Sequence, residues 1–360
     1  MNVKTGLNVA LLALALATVG CKKKPKEEPK QGSASTTAEQ PGSGSGSAEA
    51  PKPAPLTGKE LAAKYLACNE HLSAGKLEDF KQDCITAEFL GHPVDDVEQK
   101  GADAVVAEFA KMRAAFSDMK SLPQLVFVNG RTILAVGMMS GTHDGPMKTP
   151  MGDIEPTKKK ISTLFFHKLV LDDENKATEE WWFGDPATML GQLGKLPKGT
   201  AFRPPAENGL EGAPIIIVAA DDAKEKANLD AIKKFNEAFN AHKPADEIAQ
   251  FTDDAVESDQ ASPTDTKGKK AIGPGLKVFH TAFPDGKIAV DVVAVGDYVI
   301  QHGSFTGTHK GPLDKIKPTQ AKVTMGFAEV FEMKNGKIAK LWRFRNGLSL
   351  ATQLGLMTEP

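Results

Sequence analysis

Two stretches of the chain repeat each other, and nothing else in its 360 residues constrains the fold as strongly. Cys68-Asn69-Glu70-His71-Leu72-Ser73-Ala74 matches Phe235-Asn236-Glu237-Ala238-Phe239-Asn240-Ala241 at an offset of 167. The same offset aligns Lys100-Gly101 with Lys267-Gly268, and Ala115-Phe116-Ser117-Asp118 with Ala282-Phe283-Pro284-Asp285. Gly137 through His143 match Gly303 through His309 at 166, and Trp181 through Gly194 match Trp342 through Gly355 at 161. The order is kept throughout. The length changes fall near residues 120–129 and 146–178, where turns tolerate them. Ordered self-similarity of this kind marks a duplicated folding unit, and the length suits about two domains.

Each unit reads alike. Thr57 with Glu60 forms a capping box that opens a helix running to about Ala74. Residues 102–116 have the pattern of a second amphipathic helix. Strand-like runs follow at 124–128, 132–139, 161–171 and 177–183. Asp173-Glu174-Asn175-Lys176 and Lys334-Asn335-Gly336-Lys337 have hairpin-turn chemistry. Helices followed by long antiparallel strands predict an α+β class, with units at 56–200 and 221–358. Between them lies a linker, 201–220, whose apolar run Pro214 to Ala220 has no repeat partner. It is expected to add a strand or to pack between the halves, joining them as an intrachain pseudo-dimer.

The chain starts differently. Lys4 precedes an apolar run from Leu7 to Val19, too short to span a bilayer. The run ends in Thr18-Val19-Gly20-Cys21, which resembles a bacterial lipoprotein box. That resemblance implies removal of residues 1–20 and a lipid on Cys21, holding the protein to the membrane; an ordinary secretory signal is the alternative. Lys22 stands where inner-membrane lipoproteins carry Asp, which implies the periplasmic face of the outer membrane. Residues 21–55 are rich in Lys, Gly, Ser and Pro without apolar periodicity, so they read as a disordered tether. As a flexible coil it would span roughly 30–35 Å.

Several functions are set aside by composition. Lys plus Arg is 44 against Asp plus Glu 46, a net charge of −2, which argues against a nucleic-acid surface. Three cysteines and scattered histidines offer no metal site, and none is expected. There is no phosphate-cradling Gly-x-x-x-x-Gly-Lys loop and no Gly-x-Ser-x-Gly elbow, so no cofactor is expected either. Under the repeat, Cys68 stands where Phe235 stands and Cys84 where Phe251 stands, so both are expected to be buried. In an oxidising compartment the pair is expected to form a disulfide; two buried free thiols are the alternative.

A helix ending before Ala-Phe-Pro-Asp, a strand carrying Gly-Thr-His-x-Gly, and a hairpin strand with Trp and a Gln-Leu-Gly tail together resemble the SnoaL-like polyketide cyclases of the NTF2-like superfamily. The resemblance implies two tandem cone-shaped domains, each a curved antiparallel sheet wrapped on helices around a pocket. In that family such pockets serve proton transfer on apolar rings, ligand binding or dimer formation, and the fold does not choose among them. Strand alternation puts Trp181, Phe183 and Asp185 on one face, and Trp342, Phe344 and Asn346 on its counterpart. If that face lines the cone, its aromatics bind ligand and Asp185 ends an aromatic wall. The resemblance then carries an acid/base role to Asp185 alone, since Asn346 cannot exchange a proton. The other reading of Asp185 is a helix N-cap ahead of Pro186-Ala187-Thr188. His143 and His309 coincide under the repeat, to bind ligand, assist proton transfer or fix a loop. Arg343 and Arg345 fall on the opposite face, which reads as solvated, the alternatives being contact with the partner domain or the binding of an anion. The expectation is a tethered module binding a small apolar ligand or a protein, with an acid/base cyclase or isomerase in repeat 1 as the alternative.

Overall fold

The computed structural model of the chain describes residues 55–93, 97–149, 152–206 and 212–356. The signal segment, Cys21 and nearly all of the tether lie outside the described residues. Repeat 1 comprises α1 (Gly58–Ala74), α2 (Leu77–Cys84), β1 (Ile85–Pro93), β2 (Gln99–Lys100), α3 (Ala102–Ala115), β3 (Lys120–Asn129), β4 (Thr132–Thr142), the small hairpin β5 (Met147–Thr149) and β6 (Gly152–Ile154), β7 (Lys160–Leu171), β8 (Ala177–Phe183) and α4 (Pro186–Gln192). After β9 (Ile215–Val218), repeat 2 runs α5 (Ala223–Asn240), α6 (Pro244–Ala249), β10 (Phe251–Asp259), β11 (Thr266–Lys267), α7 (Lys269–Ala282), β12 (Lys287–Val295), β13 (Tyr298–Thr308), β14 (Lys322–Lys334), β15 (Lys337–Arg345) and α8 (Gly347–Gln353).

Local chemistry sets the starts and stops. At α1 the Thr57 N–H donates to Glu60 Oε2 (2.7 Å) and the Glu60 N–H donates to Thr57 Oγ1 (3.3 Å), satisfying two donors that the helix leaves open. The recurring Gly of Thr-His-x-Gly has a packing reason. A Cβ on Gly145 would stand 1.8 Å from Ala114 O, and one on Gly311 2.1 Å from Thr281 O. Only a glycine backbone can lie against the end of the preceding helix.

The main sheets run β2-β1-β8-β7-β4-β3-β9 and β11-β10-β15-β14-β13-β12. Neither is antiparallel throughout: β1–β8, β10–β15 and β3–β9 are parallel pairs. Trp181 on β8 and Trp342 on β15 occupy equivalent positions, facing Lys168 and Val330 on the neighbouring strands. The register corrects one alignment. Ile85 pairs with Ala177 as Phe251 pairs with Ile338, so the counterpart of Phe251 is Ile85 and not Cys84. The cysteines nonetheless meet: Cys68 on α1 is bonded to Cys84 at the end of α2, with Cα atoms 5.8 Å apart.

Both faces of each sheet are buried. One face packs on its own helices: Tyr65, Phe80 and Phe89 in repeat 1, and Phe235, Ile272 and Leu341 in repeat 2. The other packs against the partner sheet, where Phe127, Phe166 and Phe183 meet Val295, Ile300 and Phe344. Phe166 and Phe344 lie with ring centroids 6.0 Å apart across this seam, and Phe127 and Tyr298 5.0 Å apart. Each fully buried Phe here stabilises the pairing by about 1.5–3 kcal/mol. The apolar run between the repeats is an added strand. β9 pairs in parallel with β3, from Leu125↔Ile215 to Val128↔Val218, so the strand leading into repeat 2 belongs to the sheet of repeat 1. The two halves form an intrachain pseudo-dimer.

Candidate functional site

The structure inverts the expected faces. Trp181, Phe183, Trp342 and Phe344 do not line a cone; they belong to the seam between the two sheets. The alternation is as read, but when both faces of a strand are buried the apolar face is not thereby the pocket face.

Asp185 is the N-cap of α4. Its Oδ2 accepts from Thr188 N (2.9 Å) and Thr188 Oγ1 (2.8 Å), and its Oδ1 accepts from Gly347 N (3.1 Å) in the other repeat. Burial pushes its carboxyl above the ordinary value, opposed by Thr188, Gly347 and Arg345. The adjoining void is only about 40 Å³, room for one or two waters. Asp185 therefore ties the halves together and faces no ligand space, which corrects its expected place on a pocket wall. Asn346 caps α8 in the same way, accepting from Ser349 N at 3.1 Å. The residue standing where Gly347 stands is Pro186, which has no N–H to donate, so no second carboxylate oxygen is called for.

His143 and His309 are buried loop staples. Nδ1 of His143 accepts from Thr157 N (3.0 Å), and Nδ1 of His309 from Thr319 N (3.2 Å). Each ring lies against a phenylalanine, Phe116 or Phe283, with centroids 5.2 and 5.4 Å apart. Burial lowers the pKa of both. Neither histidine lines the repeat 2 cavity or the voids beside Asp185 and Tyr65, and among the described residues His143 Nδ1 bonds to Thr157 and not to Asp185.

The space inside each cone lies on the opposite strand face. In repeat 1 it is nearly filled. Trp182 stacks on Phe165 (6.3 Å), and His167 stands between Tyr65 and Glu180, leaving about 40 Å³. In repeat 2 a cavity of about 210 Å³ remains. Its helical and apolar side carries Phe239, Leu276, Phe279 and Phe305. Its sheet side carries charge. Arg343 Nη1 reaches Glu257 Oε1 (2.5 Å) and its Nε reaches Glu329 Oε1 (2.6 Å). Gln301 Nε2 donates to Glu329 Oε2 (2.7 Å), and Asn236 Nδ2 to Gln301 Oε1 (2.7 Å). Arg345 binds Asp259 Oδ2 through Nη2 (2.7 Å) and Nε (3.0 Å).

Burial raises the pKa of Glu257, with Arg343 only partly offsetting it. Burial acts the same way on Asp259, but there Arg345 and Arg343 outweigh it and hold the carboxyl low. Arg343 stays charged despite burial because Glu329, Glu257 and Asp259 surround it. Arg343 and Arg345 are 23% and 17% exposed, inside the cone and not on a solvated face, which corrects that reading. A signal for them existed. Trp342-Arg343-Phe344-Arg345 alternates bulky aromatics with guanidinium groups, and Glu329 interrupts an apolar strand. Among the described residues no group of three His, Cys, Asp or Glu side chains could hold a metal ion.

A family model described as SnoaL-like polyketide cyclase matches residues 62–193 and again 229–354. No curated protein matches the chain. Among solved structures, a protein described as a SnoaL-like polyketide cyclase from Jannaschia sp. CCS1 is 17% identical, covering 37% of this chain and 94% of its own, with a TM-score of 0.35. TsrD from Streptomyces laurentii is 19% identical over 38% of this chain and 99% of its own, TM-score 0.34. IdmH from Streptomyces antibioticus, described as a polyketide cyclase, is 21% identical over 38% of this chain and 99% of its own, TM-score 0.33.

Proposed function

Because the chain belongs, through both of its repeats, to the SnoaL-like polyketide cyclase family, we propose that it is a binding module whose working pocket is the repeat 2 cavity, with repeat 1 as its structural partner. One observation carries this reading. The cavity stays open and holds a buried ion network where repeat 1 has Trp182 and His167 at the places of Arg343 and Glu329. Buried ion pairs add little stability over well-packed apolar groups, so core packing alone gives no reason for repeat 2 to keep them. The ligand is a small molecule with an apolar body and a polar head. The cavity, about 210 Å³, is below the roughly 300–1,000 Å³ of drug-sized sites.

A second reading, acid/base catalysis, moves from repeat 1 to repeat 2. Glu257 favours it, as a half-buried pocket carboxyl with a raised pKa that can hold or release a proton near a bound substrate. The signal segment, the lipid on Cys21 and the tether place the module at the cell envelope, with units at 56–200 and 221–358. Native mass spectrometry of the purified full chain tests the main reading. A co-purifying small molecule is expected on the wild type and absent from Leu276→Trp, which fills the cavity. A bound molecule that survives Leu276→Trp refutes it.

A further inference from the structure

Repeat 2 departs from repeat 1 at three positions that meet in space. His242, Glu247 and His280 stand where Gly75, Phe80 and Arg113 stand, all at the 167 offset. The local frame is the same in both halves: Lys76 N donates to His71 O as Lys243 N donates to Ala238 O, both at 2.9 Å. In repeat 1 two of the three finish a helix and the third, Phe80, packs in the core. Gly75 takes φ 72° and Arg113 Nη1 donates to Leu72 O and Ser73 O at 3.2 and 3.1 Å. In repeat 2 a histidine occupies the left-handed position, φ 55°, which costs roughly 1–2 kcal/mol for a residue with a Cβ. His242 Nδ1 meets His280 Nδ1 at 3.1 Å, and His280 Nε2 meets Glu247 Oε1 at 2.5 Å.

Glu247 is fully buried and lines the cavity, yet its Oε2 has no hydrogen-bond partner among the described residues. A buried carboxylate oxygen left alone is costly, and a ligand donor would relieve that cost. The charges name the donor. Glu247, Glu257, Asp259 and Glu329 line the cavity against Arg343 and Arg345, four carboxyl groups to two guanidinium groups. Phe239, Phe279 and Phe305 stand among the apolar walls, and aromatic rings attract cations.

We propose that the repeat 2 cavity takes a small amine with an apolar body, its ammonium group docking on Glu247 Oε2. His280, itself in contact with His242, meets Oε1, which leaves Oε2 for the ligand. This rests on the binding reading of the same cavity and names its ligand class.

The test is titration calorimetry on the full chain at neutral pH with three matched probes: 2-phenylethylamine, 2-phenylethanol and phenylacetate. The amine is expected to bind at least about tenfold more tightly than the alcohol, because both donate to the carboxylate but only the ammonium adds a charge to the bond, and the carboxylate least. Glu247→Gln, which keeps the shape and the contact to His280, is expected to remove that preference and leave the alcohol unchanged. Equal binding of amine and alcohol by the wild type overturns the proposal, as does a Glu247→Gln chain that still prefers the amine. If the alcohol or the carboxylate binds best and Leu276→Trp abolishes it, the cavity is a binding site and the amine assignment alone fails. If no probe binds and no molecule co-purifies, both fail.

Discussion

Replacing Asp185 by Ala tests the claim that this carboxylate joins the two repeats. The substitution removes the acceptor of Thr188 N, an N-cap worth about 0.5–2 kcal/mol. It also leaves the Gly347 N–H of the other repeat without the oxygen it meets at 3.1 Å, a further loss of about 1–3 kcal/mol. Relief of a buried carboxylate offsets part of this, so Asp185→Ala should cost about 2–4 kcal/mol. Asn346→Ala is the internal control: the same cap in the other repeat, with Pro186 in place of the cross-repeat donor, should cost only about 0.5–2 kcal/mol. Urea unfolding followed by tryptophan fluorescence and by circular dichroism measures both, and coincident curves establish that the halves unfold together. The pH dependence has a definite sign. Burial raises the Asp185 pKa above 3.8, so the folded chain holds this proton more tightly than the unfolded chain. The associated stability is present below 3.8 and is lost as pH rises through the raised value. The deficit of Asp185→Ala should therefore widen toward acid. A loss under about 1 kcal/mol, or one no larger than for Asn346→Ala, refutes the cross-repeat role.

Three further outcomes are expected. The Cys68–Cys84 bond closes a loop with a sequence separation of 16, so Cys68→Ser with Cys84→Ser should lose about 3 kcal/mol; a thermal midpoint unmoved by reductant in the wild type would contradict this. His302 sits in the seam, 2.7 Å from Lys168 Nζ, and burial first and Lys168 second push its pKa down to about 4. The unfolded chain then binds this proton more readily. About 2–4 kcal/mol of stability, present above 6.5, should be lost as pH falls toward 4, and His302→Val, carrying the residue of the equivalent position Val136, should flatten that loss. Identical acid profiles for the two proteins would exclude His302 as the cause. Arg343→Leu leaves Glu257 and Glu329 facing each other without their cation and should destabilise the chain by about 3–5 kcal/mol in urea at pH 7, with partial recovery toward acid as the carboxylates protonate.

How far the sequence reaches depends on the range of each interaction. The duplication is legible because matched residues recur in order, and Trp181 and Trp342 do land on equivalent strands. The α1 capping box is legible because Thr57 and Glu60 act within one turn. The Asn335-Gly336 turn between β14 and β15 is legible for the same reason, with Asn335 at φ 53° and Gly336 at φ 71°. β1 and β10 escape the pattern: charged Glu88, Asp253 and Asp254 break their apolar alternation, and the parallel partner that holds each strand lies far along the chain. The place of β9 escapes as well, since its partner β3 belongs to the other repeat.

By itself, then, the sequence determined the doubling, the α+β class, the helix starts and the turns, each governed by neighbours a few residues apart. Only the tertiary structure decided which strand face is inside. Alternation sorts side chains onto two faces but says nothing of what each face meets, and here the seam takes the aromatics of β8 and β15 while the cone takes Arg343 and Arg345. It also decided that one cone is filled and the other open. That depends on side chains such as Trp182 and His167 in one half, against Arg343 and Glu329 in the other, converging from elements that only folding brings together.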